Sequence, residues 1–208
     1  MNVLTDKLPT KIKINGKNYD INYDYRTIIN ILIAFEDDEL SDYEKCYIML
    51  NNLYKDEIPN EDLEEAVTKA IRFIDCDQEY KTNTSDQRIF SFKKDAMYIF
   101  SGINATHHID IEEKNIHWWK FMSLFMDMKP DCMFGELTYY RKRKNEGKLT
   151  KEEKEQYKKI KDLVDLDYKE KEYWEKMPPE LRSNLNASCH LNKNATFGYE
   201  ISPFFFEG

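Results

Sequence analysis

The chain has 208 residues, 31 Lys plus Arg against 39 Asp plus Glu, and a net charge of -8. With 41% hydrophobic and 14% aromatic residues it can bury a real core, which excludes wholesale disorder, and its length suits one domain or a domain with an appendage. Only six glycines leave few places where backbone can take a left-handed turn or approach a phosphate, which argues against a doubly wound nucleotide fold and favours helices.

The first element in the chain is a β-hairpin. Lys11-Ile12-Lys13-Ile14 and Lys17-Asn18-Tyr19-Asp20-Ile21 alternate around Asn15-Gly16, and that dipeptide suits a two-residue turn whose central positions both need positive φ. Two strands alone are marginal, so Ile12, Ile14, Tyr19 and Ile21 must rest on helices or on another chain.

From Ile28 to Phe35 the chain is apolar almost all round, which predicts a buried helix. Ser41-Asp42-Tyr43-Glu44 is a capping box and opens an amphipathic helix that ends before Pro59. Beyond Asn60, the residues Leu63, Ala66, Val67, Ala70, Ile71 and Ile74 form one apolar stripe at helical spacing. Lys81 to Gln87 is polar, and the alternation of Arg88 to Phe92 predicts a short strand before a helix from about Asp95 to Ile103.

The apolar stretch from about Ile111 to Met128 predicts a long helix ended by Pro130, and Cys132 to Lys144 predicts another that finishes on the basic run Arg141-Lys142-Arg143-Lys144. Thr150-Lys151-Glu152-Glu153 is a second capping box. It opens a solvated helix in which Lys, Glu and Asp nearly balance over a thin seam of Tyr157, Ile160, Val164 and Tyr168. After Met177-Pro178-Pro179 the helical period is lost.

The fold expected is mainly α. Residues 1–147 form a helical core domain with an N-terminal β-hairpin (about 10–22), residues 148–176 a long charged C-terminal helix, and residues 177–208 an irregular tail.

Chemistry is sparse. His107, His108, His117 and His190 have no metal-ligand spacing, and Cys46, Cys76, Cys132 and Cys189 form no Cys-x-x-Cys pair. No nucleophile motif or phosphate cradle occurs, so no catalytic residue, cofactor or metal is expected. Met1 to Thr10 is polar and no apolar run has the length of a membrane span, so a chain free of membranes and inside the cell is expected. The basic run beside Tyr139 and Tyr140 offers a nucleic-acid contact, which the acidic balance argues against.

The most distinctive segment is Trp118 to Met133. Such side chains are ordinarily core. If exposed, Trp118, Trp119, Phe121, Met122, Phe125 and Met126 would instead make an adaptable surface for apolar helices of a partner.

Several blocks carry a resemblance. Leu4-Thr5-Asp6-Lys7-Leu8-Pro9 before the hairpin, Asp24-Tyr25-Arg26-Thr27, Asp95-Ala96-Met97-Tyr98-Ile99, His117-Trp118-Trp119-Lys120-Phe121 and Tyr140-Arg141 occur in that order. Over roughly residues 1 to 170 the chain resembles the bacteriophage gene-product-fifteen family, found in tail modules of phages and prophages of low-GC Gram-positive bacteria. The resemblance implies a non-enzymatic tail assembly protein, similar in role to a chaperone of the tape-measure protein. Its partners would be that protein and other tail subunits, with a homo-oligomer also open, and its place of action the host bacterial cytoplasm. A structural component retained in the tail is the alternative, and a DNA-binding regulator a more distant one.

Overall fold

A computed structural model describes residues 2–78 and 88–166. It is mainly helical, with one N-terminal hairpin, as the sequence implies. Strands β1 (Lys11–Ile14) and β2 (Lys17–Asp20) pair antiparallel with Ile12 opposite Tyr19 and Ile14 opposite Lys17. The turn takes the expected form, with φ of 44° at Asn15 and 84° at Gly16. Ile12, Ile14, Tyr19 and Ile21 are all buried, and the surface that covers them belongs to this chain. The Asn15 side chain donates to Asp62 at 2.6 Å, its backbone N–H donates to Glu65, and Ile21 bridges to Tyr54.

Helix α1 (Tyr25–Phe35) starts where the Asp24 carboxylate accepts from the Arg26 N–H, and it buries Tyr25, Ile28, Ile31 and Leu32. Helix α2 (Asp42–Leu53) opens on the predicted Ser41/Glu44 capping box. A 3-10 turn over Asn60–Asp62 leads into α3 (Leu63–Ile74), whose Ala66, Ala70, Phe73 and Ile74 are buried. Then come α4 (Ala96–His107), α5 (Trp118–Met126), α6 (Met133–Asn145) and α7 (Lys151–Val164), the last with the predicted Thr150/Glu153 capping box. Helix α1 lies between α2 and α5, α3 packs under the hairpin and beside α2, and α4 and α6 carry the core on toward α7.

Three expectations are corrected. Residues 88–94 form no strand; Phe90 and Phe92 enter the core from irregular backbone. The apolar stretch from Ile111 is not one helix, because α5 begins only at Trp118. The Arg26 guanidinium holds the carbonyls of Ile111 and Glu112, at 3.1 and 2.7 Å, and that of Lys114, so these acceptors face another element instead of a helical turn. The charged helix ends at Val164, and Asp165 is already extended at φ -66° and ψ 126°. The Arg141 side chain donates to the carbonyls of Leu163 and Val164, serving the orphan acceptors of that helix end. The remainder of the helix expected to 176, and the tail 177–208, lie outside the described residues.

Candidate functional site

The His-Trp-Trp-Lys-Phe block is a structural junction. His117 caps α5: its Nδ1 accepts from the Trp119 N–H at 3.1 Å, which places the ring proton on Nε2, and that nitrogen donates to the Pro9 carbonyl at 2.9 Å. Burial pushes the imidazole below its ordinary pKa, with the Pro9 contact pulling the other way. The two indoles then reach α3. Trp118 Nε1 donates to the Ile74 carbonyl at 2.7 Å and Trp119 Nε1 to the Phe73 carbonyl at 2.8 Å. A helix C-terminus leaves carbonyls without intrahelical partners, and a buried indole needs an acceptor, so each group satisfies the other.

Below the junction the rings stack. Tyr25 lies parallel to Phe121 at 4.6 Å, and Phe121 in turn stacks on Trp118 at 5.8 Å. Exposure is 1% for Trp118, 8% for Trp119, 1% for Phe121, 4% for Met122 and 7% for Phe125. Met126 is half-buried against the same core. The expected partner-binding groove of Trp118, Trp119, Phe121, Met122, Phe125 and Met126 is therefore corrected: the structure brings these side chains together, but as interior. Full burial of a large apolar side chain stabilises by about 1.5–3 kcal/mol, and this segment forms the centre of the fold.

The other distinctive blocks also meet in pairs. Asp95 and Arg141 form a sealed, two-pronged ion pair at 2.6 and 2.9 Å, with side-chain exposures of 0% and 4%. Arg141 also donates to the carbonyls of Ile89, Leu163 and Val164, so its fork joins α4, α6, α7 and the segment before α4. This removes the leading cation from the basic run as a nucleic-acid contact. Arg143 pairs with Glu153 and Lys144 with Asp165, leaving Lys142 as the member with no such pairing among the described residues.

At the end of α3, Asp75, Cys76 and Asp77 make a tight corner, the last two at φ 57° and 61°. Burial raises the Asp75 carboxyl to about 6 and the Cys76 thiol to about 12, so that thiol stays protonated and poorly nucleophilic at neutral pH. Among the described residues, no three of His, Cys, Asp and Glu are grouped to hold a metal ion, and no helix is long and apolar enough to cross a membrane.

Two features lie on the outside. Tyr43 and Tyr47, one turn apart on α2, are 74% and 61% exposed, and Met97 on α4 is 73% exposed. A groove of roughly 700 Å³ runs between the end of α6 and α7, floored by Leu149 and Tyr157. The lysines along it, Lys151, Lys154 and Lys158, recur at helical spacing. That signal was present in the sequence, hidden by the alternation of both charges along α7.

The molecule is thus a small helical scaffold whose distinctive polar and aromatic residues hold elements together, in keeping with a phage protein of the structural and assembly kind. The bacteriophage Gp15 protein family matches residues 4–166, and the chain belongs to that family. No curated protein and no solved structure matches it.

Proposed function

We propose that this protein is a non-catalytic tail assembly factor that shelters apolar helical segments of the tape-measure protein, in the host bacterial cytoplasm, until other tail subunits cover them. The observation that carries the reading is membership of the phage family over nearly all of the described chain. The physical need is plain: a very long helical polypeptide with apolar seams aggregates unless a soluble partner covers them. A net charge of -8 keeps such a complex dispersed. Because Trp118 and its neighbours are interior, contact must be made by the outer surface, where Tyr43, Tyr47 and Met97 stand exposed.

Retention in the tail as a structural part draws less support. A hairpin that joined a neighbour's sheet would present an accessible strand, whereas this one is four residues per strand and shows Lys11 and Lys13 to solvent, a charge placement that discourages edge pairing. The test is co-expression with the tape-measure protein, followed by the soluble fraction of that protein and by mass spectrometry of purified particles. We expect solubility to rise and the chain to be missing from particles. Unchanged solubility would remove the assembly reading, and stoichiometric presence in particles would replace it with the structural one.

A further inference from the structure

We propose that the lysine-rimmed groove between α6 and α7 is a docking site for an acidic amphipathic segment of another polypeptide, one whose carboxylates meet Lys151 and Lys154 while an apolar side chain rests on Leu149 and Tyr157. The case is one of charge and shape. The chain as a whole is acidic, at -8, yet Lys144, Lys151, Lys154 and Lys158 gather round one cleft of roughly 700 Å³. Two of these cations are already engaged, Lys144 with Asp165 at 2.6 Å and Lys158 with Glu155 at 2.8 Å. Lys151 and Lys154 are exposed and have no ion-pair partner among the described residues. They sit one turn apart on the rim, the spacing at which an acidic helix presents its own carboxylates.

The floor is built to stay in place. Lys144 lies 5.1 Å from the centre of the Tyr157 ring, and the Tyr157 hydroxyl donates to Asp165 at 2.6 Å, so ring and cation are both fixed before any visitor arrives. A preformed apolar floor costs little ordering on binding. A nucleic acid fits less well. Glu152, Glu155 and Asp162 interleave with the lysines along α7, and a continuous polyanion would lie across all of them, whereas a short acidic segment in the groove meets one carboxylate, Glu155, which Lys158 already neutralises at 2.8 Å.

This inference rests on the assembly reading for a polypeptide partner, and its test separates the two. The full-length protein is titrated into a labelled synthetic amphipathic peptide about four helical turns long, carrying Glu on one face and Leu and Phe on the other. Its Glu→Gln counterpart and a labelled DNA duplex are run in parallel. We expect the Glu peptide to bind and to weaken as salt is raised. The double variant Lys151→Glu/Lys154→Glu, with helical content checked by circular dichroism, should bind it at least about tenfold more weakly, and Lys151→Gln/Lys154→Gln should fall between. Equal binding by parent and charge-reversed protein, or by the Glu and Gln peptides, overturns the site. Duplex binding that the reversal abolishes, with the peptide ignored, overturns it in favour of a nucleic-acid surface. If parent and charge-reversed forms solubilise co-expressed tape-measure protein equally, the assembly reading stands and the groove is rejected as its contact. Peptide binding without any such solubilisation supports the groove and removes the tape-measure protein as its occupant.

Discussion

The Arg141 guanidinium and the Asp95 carboxylate face each other in a sealed two-pronged pair, and the same guanidinium donates to three backbone carbonyls of two other segments. Burying two charges is expensive, and such a pair holds only if every donor and acceptor finds a partner. Here one guanidinium makes five hydrogen bonds to four residues.

Arg141→Ala should therefore be severe. It strands Asp95 in the interior and frees the carbonyls of Ile89, Leu163 and Val164, and we expect a loss of about 3–5 kcal/mol in urea denaturation. Arg141→Lys should recover little, because an ammonium group cannot reproduce a planar fork. A lysine variant of parent-like stability would show that the pair acts through charge alone.

Helix α5 should loosen in mild acid. His117 accepts the Trp119 N–H only while Nδ1 is unprotonated. Its folded pKa lies below the ordinary 6.5, so between the two values the unfolded chain binds the extra proton. The stability is full above pH 6.5 and falls as pH drops through the folded value. His117→Asn keeps a capping side chain without the titration, so the difference in Tm between variant and parent should shrink from neutral pH toward pH 5. A constant difference would count against the capping role.

Asp75 predicts a pH effect of the opposite sign. Its carboxyl is raised by burial from 3.8 to about 6, so within that window the folded protein keeps a proton the unfolded chain has lost. This contribution is complete below the ordinary value and is lost as pH rises through 6. Asp75→Asn should then stabilise the protein near pH 7.5 by about 1–3 kcal/mol and leave it unchanged near pH 3.5, read by denaturant titration at both values.

Glycine spacing sets a fourth test. A Cβ on Gly135 would stand 2.3 Å from the Pro130 carbonyl oxygen, a backbone atom, whereas one on Gly102 would meet the flexible Met128 sulfur at 2.8 Å. Gly135→Ala should cost about 2–3 kcal/mol and Gly102→Ala clearly less, in parallel thermal melts.

Mutating the aromatic segment should act on the fold, since Trp118 and Met122 are buried. Trp118→Ala with Met122→Ala removes interior volume and an indole donor, and should unfold the protein or cost roughly 5 kcal/mol or more. A folded double variant with near-parent stability would place those residues outside the core after all.

Local signals were readable in the sequence because local physics decides them. Asn15-Gly16 dictates its own turn, Ser41/Glu44 and Thr150/Glu153 cap their own helices, and the stripe from Leu63 to Ile74 buries Ala66, Ala70 and Ile74, with Val67 and Ile71 half-buried and Leu63 exposed at the helix start. What misled was decided at a distance. Nothing in Ile111 to Ile116 shows that Arg26 will take its carbonyls, and nothing in Arg141-Lys142-Arg143-Lys144 marks the first cation as buried. The Trp118 segment has the same composition whether it faces a partner or the core. Two neighbouring carbonyls at the end of α3 settle that, and they lie more than forty residues away. The blocks that carry the resemblance are for the most part the two ends of such long-range ties: Pro9 with His117 and Asp95 with Arg141.

The final turn of α7 is hung from Arg141, with Lys94 and Lys144 also gripping Asp165. A pull on the chain at Leu166 would thus be carried by several bonds at once into α4 and α6, and would not peel the helix open turn by turn. In mechanical terms, the described body ends in an anchor point rather than a fraying thread.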